Sequence, residues 1–518
     1  MGLFKSLSVV SFFTLVSRLL GLVREMVLAA KFGASASTDA LFVAFRIPNL
    51  LRRLFAEGAF AQAFVPILAE YRRSEGDERA KLLIAHVASL LSILLLIISI
   101  LGVLFAPYLV YVIATGFRES SGQAELTASL IRLTFPYLLF ISLTSLFSSV
   151  LNTWGRFAVP AFTPALLNLS FILSALYLTP YFEPPIMALG LAILLGGIAQ
   201  LAFQIPFLLR LKLWPKLKWR PNDPGVIRIL RKMAPAVIGV SAAQISMVIN
   251  TNIASRMQEG SVSWLTFADR LMELPVGLLG VAMGTVILPA LSVSVADKKA
   301  EEYQATLEWG LIVMLVISIP SVAGLIALSE PILITLFMRD QFSFDDVSMT
   351  QVAFWGYGIG LVPIVMIKLF APVFYANKDT KTPVQIAIKA VIVTQFLNVI
   401  FWMLMPNHIK HAGLALAISG GAWLNAIMLV IELRRKGLFV LANKWVLVGR
   451  DCLIAAAIMT LVISFTAIKI DWLAYDSWER ACLLSGVILV GFTVYALGLR
   501  ALGRRFKDIL APSQSNFN

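Results

Sequence analysis

Long apolar stretches recur along the whole chain, and Leu90–Phe105 and Leu311–Leu328 are two of them. Each stretch is too long for a strand and lacks the alternation of a half-buried strand, so the pattern predicts membrane-spanning helices and excludes a β-barrel. Charged residues make up only 14% of the chain and hydrophobic residues 59%, against about 25% and 45–50% in soluble domains. This composition excludes an ordinary soluble enzyme, a disordered chain and a secreted disulfide scaffold.

The apolar stretches and their polar or Pro/Gly breaks predict an all-α polytopic membrane protein with about fourteen spans. The spans lie near 5–30, 38–68, 82–111, 124–151, 158–179, 185–209, 226–255, 261–294, 303–327, 349–376, 383–404, 412–433, 445–467 and 479–500. Spans one, two and eight contain charges, so we expect them to be the poorest by hydropathy. The N-terminal stretch is interrupted by Arg18 and Arg24, which is not typical of a cleavable signal peptide.

The distribution of basic residues predicts the orientation of these spans. The net charge is +14, which in a soluble protein would suggest nucleic acid as a partner, but here 26 Lys and Arg fall on one side of the predicted topology and 7 on the other. Positive residues are enriched in cytoplasmic loops. Both termini are therefore expected in the cytoplasm, and no nucleic-acid partner is expected.

Ten basic residues remain inside or at the ends of spans, where each costs about 2.5–3.5 kcal/mol on the insertion scale unless it meets water or a partner. We interpret Arg18, Arg24 and Arg270 as facing a water-filled cavity, and leave Lys368 open between a cavity and a structural role. Arg52 and Arg53 lie near Glu57 and could form a structural ion pair with it. The other four, which could reach an interface by snorkelling, are Arg46, Arg132, Lys389 and Arg450.

Intramembrane acids are fewer than the bases, so the predicted cavity is positive and favours an anionic cargo. These acids are Glu25, Asp39, Glu57, Asp269 and Glu273. They are expected to neutralise part of the site or to act as exchangeable ion-pair partners.

Spans two and eight resemble each other. In both, a charged cluster precedes a stretch rich in small residues and a proline, and Pro66 and Pro289 are 223 residues apart. The similarity predicts two parallel six-span repeats around a central site. The expected domains are an N-lobe at 1–218, a C-lobe at 219–437, and two further spans with a tail at 438–518.

Motifs for chemistry on a bound substrate are missing from the sequence. It contains no HExxH, Walker A, GxSxG or Cys/His metal pattern, so neither a catalytic centre nor a metal site nor a cofactor is predicted. The run from Gly356 to Gly360 lies inside an apolar span and is interpreted as helix packing or a bend. Without a nucleotide site, ATP cannot power transport within this chain.

Three stretches of sequence carry a resemblance, namely Ser17–Glu25, Thr38–Pro66 with Asn49 inside it, and Ala268-Asp269-Arg270-Leu-Met-Glu273-Leu-Pro275. Together they closely resemble the MurJ (MviN) family. The resemblance implies a bacterial inner-membrane flippase for lipid II, the undecaprenyl-diphosphate-linked peptidoglycan precursor. It also implies the multidrug/oligosaccharidyl-lipid/polysaccharide exporter fold, with two six-helix lobes around a central cationic cavity plus two C-terminal helices.

The resemblance also implies roles for individual residues. Five cationic positions match residues that would bind the diphosphate in the cavity, namely Arg18, Arg24, Arg52, Arg53 and Arg270. Six positions match polar cavity or gate residues, namely Asp39, Asn49, Glu57, Asp269, Glu273 and Lys368. Transport is expected by alternating access, with the membrane potential as a driver and the coupling ion left open. Membrane phospholipids and other peptidoglycan-synthesis proteins are the further partners considered.

Three other functions compete with this interpretation. A cation-coupled drug exporter of the same superfamily would need intramembrane acids to outnumber the bases, which they do not. A flippase for another polyprenyl-linked glycan differs only in cargo, and composition cannot separate the two. A scaffold or receptor would leave the intramembrane charges without a role.

Overall fold

A computed structural model describes residues 3–55, 59–119, 122–282, 287–297, 299–439 and 443–504. Within these ranges every regular element is a helix, as the apolar pattern predicts. Contacts divide the chain into two compact units, Met1–Ser263 with Arg339–Phe342, and Trp264–Met338 with Ser343–Asn518. The predicted lobe boundaries at 218 and 437 concern the internal repeat and stay a prediction.

The first unit contains ten α-helices among its described residues. They are α1 (Leu3–Phe32), α2 (Ala36–Phe55), α3 (Ala59–Ser74), α4 (Gly76–Leu104), α5 (Ala106–Ile113), α6 (Gln123–Thr134), α7 (Tyr137–Thr153), α8 (Ala158–Tyr177), α9 (Met187–Arg210) and α10 (Pro224–Ala254). α1 packs along α8, which also packs on α9, and α10 packs against α2, α3, α4 and α5.

The remaining helices belong to the second unit, apart from the first three residues of α11. They are α11 (Ser261–Ala282), α12 (Leu288–Ala296), α13 (Ala300–Ala327), α14 (Ser329–Leu336), α15 (Phe344–Ala376), α16 (Lys381–Leu404), α17 (Lys410–Arg435), α18 (Asn443–Ile468) and α19 (Ser477–Ala501). α15 packs along α17, and α18 packs between α13 and α19.

Ten helical segments of the described chain are long and apolar enough to cross a membrane. They coincide with predicted spans three to six and nine to fourteen. The helices at spans one, two, seven and eight fall outside this set. Spans one, two and eight carry the charges that we expected to lower their hydropathy. Every predicted span contains helix, but the count of fourteen stays a prediction.

Glycine allows two close contacts that set the packing. A Cβ on Gly360 of α15 would lie 2.4 Å from Ser419 Oγ of α17, and this hydroxyl donates to the carbonyl of Gly356 at 2.6 Å. The glycine run is thus a helix-packing surface, as interpreted from the sequence. In the first unit, a Cβ on Gly116 would lie 2.1 Å from the carbonyl oxygen of Ser255, so the turn at Thr115–Arg118 can approach the end of α10 only with glycine there.

The two C-terminal helices are joined by a buried carboxylate. Asp451 on α18 pairs with Arg450 at 2.9 Å and with Arg504, just beyond α19, at 2.8 Å. The Tyr495 hydroxyl of α19 donates to the Val316 carbonyl of α13 at 2.9 Å. The Arg450 side chain is 63% exposed and pairs with Asp451, and its reach to a membrane interface by snorkelling stays a prediction.

An ion pair between Asp379 and Lys436 gives a pH prediction. Burial raises the pKa of Asp379, but the hydrogen bonds from Lys436 and Thr382 outweigh it and lower the pKa from 3.8 to about 2. A lowered folded-state pKa adds stability above the unfolded-state value, and this stability is lost as the pH falls through the folded-state value. We therefore expect the melting temperature to fall between pH 4 and 2, and Asp379→Asn to make that fall shallower. Thermal melts across this pH range measure it.

Lys436→Gln is the companion variant. It removes the cation and keeps the carboxyl group, so the pKa of Asp379 should rise toward its unfolded-state value and the loss of stability on acidification should become smaller. Acid melts of both variants that superimpose on the wild-type curve would contradict the role given to this pair.

Candidate functional site

Arg24 is held in place on α1 by residues of two helices. Its Nη1 donates to Asn168 Oδ1 of α8 at 3.1 Å, and it forms an ion pair with the adjacent Glu25. The guanidinium carbon lies 5.4 Å from the centre of the Phe171 ring, within cation–π range. The Arg24 side chain is 15% exposed, so most of the charge is enclosed while one edge stays accessible.

Asn168 is the residue that sequence analysis missed. Its Nδ2 donates to the Ser17 carbonyl of α1 at 3.0 Å, which leaves Oδ1 to accept from Arg24. The amide therefore has one orientation, because a flipped amide would place its NH₂ against the arginine. The only signal was an asparagine inside an apolar span, and nothing in the sequence relates it to a residue 144 positions away.

Arg18 lies on the same helix as Arg24 and is half-buried. Among the described residues it has no hydrogen-bond or ion-pair partner. Six residues along a helix correspond to about 120° of rotation away from eclipsed, so Arg18 and Arg24 point in different directions from one axis. The helix thus carries one guanidinium that its neighbours orient and one with no such partner in the part of the chain that the structure describes.

The charged end of α2 is organised by Asn49. Its Oδ1 accepts from Nε and Nη2 of Arg52 at 3.1 and 2.8 Å, so the amide holds the planar guanidinium at two points. Arg53 beside it is half-buried. Glu57 lies outside the described residues, and the expected ion pair of Arg52 and Arg53 with it stays a prediction.

Asp39 is buried in the first turn of α2 and accepts three hydrogen bonds. The donors are the backbone N–H of Gly260 at 2.9 Å and, from Ser263, the backbone N–H at 2.8 Å and the hydroxyl at 2.5 Å. Since α11 begins at Ser261, this carboxylate caps the N-terminus of a helix far along the chain. Glu259 does the converse, accepting from the Ala36 N–H at the start of α2 at 2.7 Å.

We call these two contacts, of Asp39 with the start of α11 and of Glu259 with the start of α2, the crossed caps. They join equivalent positions of the predicted repeat. Ala36 and Glu259 are 223 residues apart, the same separation as Pro66 and Pro289. The donors to Asp39 are backbone and hydroxyl groups. An exchangeable ion pair between Asp39 and an arginine, which the sequence suggested, stays a prediction.

In the second unit the predicted residues lie on α11 and α15. Arg270 donates to Glu273 one turn along α11 at 3.0 Å, and both side chains are partly exposed. Lys368 of α15 donates to the Val276 carbonyl of α11 at 3.2 Å. Asp269 is half-buried beside Arg270. The structure therefore brings Arg270, Glu273 and Lys368 to neighbouring turns of two helices.

A search of the described residues finds no group of three or more His, Cys, Asp or Glu that could hold a metal ion. What the arrangement offers instead is a set of guanidinium groups, two of them oriented by asparagine side chains. Guanidinium groups make bidentate contacts with phosphate oxygens. The chemistry of the described residues therefore suits binding of an anionic group.

Comparison with known proteins gives one consistent result. A family model described as lipid II flippase MurJ matches residues 28–479. The lipid II flippase MurJ of Burkholderia cenocepacia is 44% identical, covering 98% of this chain and 98% of that protein. The probable lipid II flippase MurJ of Vibrio cholerae is 40% identical, covering 99% of this chain and 98% of that protein.

Solved structures agree with these relatives. A lipid II flippase MurJ in an inward closed conformation superimposes with a TM-score of 0.79 at 27% identity, covering 96% of this chain and 99% of that chain. An inward-facing multidrug resistance MATE family transporter of the MOP superfamily has a TM-score of 0.68 at 16% identity, covering 81% and 94%. The latter likeness concerns the fold alone.

Proposed function

The chain belongs to the lipid II flippase MurJ family, and we propose that its intramembrane arginines bind the diphosphate of lipid II. It is a membrane protein that moves lipid II, a transporter rather than an enzyme. Arg24 carries the proposal for the site, because it is a largely enclosed cation on a helix of the first unit, oriented by Asn168 and by the Phe171 ring. Arg18, Arg52, Arg53 and Arg270 are assigned to the same task.

The chemistry of the cargo fits this assignment. A diphosphate presents several anionic oxygens, and each planar guanidinium can donate two parallel hydrogen bonds to such a group. Asn49 and Asn168 orient Arg52 and Arg24 through neutral amide oxygens, which position the guanidinium groups without adding negative charge. The ion pair with Glu25 offsets only part of the charge at Arg24, because one edge of its side chain stays accessible.

Transport proceeds by alternating access. The diphosphate engages the arginines from the cytoplasmic side, and the acids near them, Asp39, Glu57, Asp269 and Glu273, bias the two states through exchange of their partners, with Lys368 as a further polar group of the cavity. The membrane potential contributes, because moving one charge through 100 mV is worth about 2.3 kcal/mol. The coupling ion is left open, and no cofactor is required.

The protein resides in the bacterial cytoplasmic membrane with both termini in the cytoplasm. The support for this orientation is the 26 to 7 distribution of Lys and Arg. Membrane phospholipids surround the protein, and peptidoglycan-synthesis proteins are the partners that would supply and consume its cargo.

Depletion of the protein in its host tests the function. We expect lipid II to accumulate in the cytoplasmic leaflet, followed by lysis, since the later steps of wall synthesis would lose their substrate. Extracted polyprenyl-linked intermediates are quantified, and their leaflet is assigned by access to a membrane-impermeant reagent. Accumulation of a different polyprenyl-linked glycan would contradict the cargo, and depletion without any accumulation would contradict transport.

Asn168 gives a prediction about the positioning of Arg24. Asn168→Ala should weaken binding of undecaprenyl diphosphate about tenfold, because Arg24 loses the group that orients it and a hydrogen bond to a charged group is worth about 1.5–3 kcal/mol. Binding to purified protein is measured by titration. Asn168→Ala made in the Arg24→Ala protein should change the affinity no further, and an undiminished effect there would contradict a role through Arg24.

A further inference from the structure

The loop between α9 and α10 carries a surface that the transport site does not use. We call residues 211–223 the basic strap. It is irregular in structure and exposes three large apolar side chains, Trp214 at 42%, Leu217 at 69% and Trp219 at 57%. Exposed tryptophans on a membrane protein are typical of the zone where lipid headgroups meet the hydrocarbon.

Cations alternate with these apolar residues. Lys212, Lys216, Lys218 and Arg220 are all exposed. None of these four pairs with a carboxylate in the part of the chain that the structure describes. The one acid at the end of the strap, Asp223, is buried and already bound to other groups. The strap therefore presents uncompensated positive charge beside exposed apolar surface.

The strap is fastened at both ends, so its exposed face is fixed. Near its start, Leu213 is buried and the Trp214 ring lies 5.6 Å from that of Phe147. In its middle the Lys218 backbone N–H donates to Ser89 Oγ of α4 at 2.8 Å.

Its far end is held through Asp223. This carboxylate accepts from the Gly225 N–H at 2.9 Å as the N-cap of α10, and pairs with His86 at 3.2 Å and Arg79 at 3.3 Å. A loop with so many attachments holds its tryptophans and lysines in place before any ligand arrives, which lowers the entropy cost of binding.

We propose that the basic strap binds the anionic headgroups of phospholipids in the cytoplasmic leaflet. The strap lies on the side that the distribution of Lys and Arg assigns to the cytoplasm, where that leaflet is negatively charged. Its apolar side chains suit the acyl boundary, and its cations suit the phosphates above it. The proposal goes beyond transport, because these lipids are not the cargo.

Lipid-selective quenching tests the strap directly. The exposed Leu217 is replaced by cysteine and labelled with the fluorophore NBD in a Cys482→Ala protein, since the other native cysteine, Cys452, is buried. The protein is reconstituted in phosphatidylcholine containing nitroxide-labelled phosphatidylglycerol or nitroxide-labelled phosphatidylcholine at equal mole fraction. We expect several-fold stronger quenching by the phosphatidylglycerol, and high salt should reduce the difference.

Charge neutralisation and a second label provide the controls. Lys216→Gln with Lys218→Gln should remove most of the preference for phosphatidylglycerol, because each cation near the anionic surface contributes about 1 kcal/mol. A label at the exposed Leu473, in a loop with the acids Asp471 and Asp476, should be quenched equally by both lipids. Melting temperatures of the labelled proteins establish that all are folded.

Two outcomes would overturn the proposal. Equal quenching by the two lipids at position 217 would mean that the strap touches the membrane without selecting anionic headgroups. An absence of quenching by either lipid would place the strap away from the bilayer and leave its cations to an acidic protein. The readout requires no cargo, so its failure is distinguishable from a failure of lipid II transport.

Discussion

Arg24→Ala is expected to abolish growth-supporting lipid II translocation while the protein still folds and inserts. The side chain supplies charge-assisted hydrogen bonds that are worth about 1.5–3 kcal/mol each, so binding of the diphosphate should weaken about tenfold to a hundredfold for each bond lost. Complementation of a depleted strain measures function, and titration of undecaprenyl diphosphate into purified protein measures binding.

Two variants make the result interpretable. Arg24→Lys keeps the charge but loses the planar fork that contacts both Asn168 and a phosphate, so it should retain only part of the affinity. Arg434→Ala removes an exposed arginine from the last turn of α17 and should leave both readouts unchanged. Normal translocation by a correctly inserted Arg24→Ala protein would refute the assignment of the site.

The sequence was sufficient to predict those features of the fold that depend on one helix alone. Length and apolar composition locate a span because the bilayer requires both, and each predicted span contains helix. The same reasoning identified the weakness of spans one, two and eight by hydropathy.

From the sequence, the charged residues of the site could be predicted, but the groups that orient them could not. The cost of a cation in the membrane makes Arg18, Arg24 and Arg270 conspicuous, but it says nothing about what orients them. Asn168 contacts Arg24 across 144 residues, and such a contact follows from the packing of α1 on α8, which no periodicity encodes. The neutral asparagines near the arginines were therefore missed or left without a partner, although they determine how the charges are presented.

The partner of the buried Asp39 carboxylate could not be predicted from the sequence either. Asp39 was conspicuous as a carboxylate near the start of a span, and the expectation was an ion-pair partner. An acid can also be stabilised by backbone N–H groups at a helix N-terminus, which carry partial positive charge. Nothing in the sequence distinguishes the two solutions, because every residue can supply a backbone donor except proline.

Asp39→Ala is expected to destabilise the first unit more than any single change to its donors. It leaves the N–H groups of Gly260 and Ser263 without their acceptor in a buried position, and each such group costs about 1–3 kcal/mol. Because α11 also carries Arg270 and Glu273, a loosened start of this helix should impair transport as well. The melting temperature of the detergent-solubilised protein and complementation measure the two effects.

Variants of the donor Ser263 and of Glu259, which forms the second cap, are the controls for this prediction, and each is expected to lower the melting temperature less. Ser263→Ala removes only the hydroxyl donor and keeps both backbone bonds, so its melting temperature should fall less. Glu259→Ala breaks an exposed cap, where water replaces the carboxylate at the Ala36 N–H, and should have the smallest effect of the three. Equal melting temperatures for Asp39→Ala and Glu259→Ala would mean that burial of the Asp39 cap contributes nothing to stability. The expected order depends only on how many buried donors lose their acceptor, so it tests the crossed caps independently of the cargo.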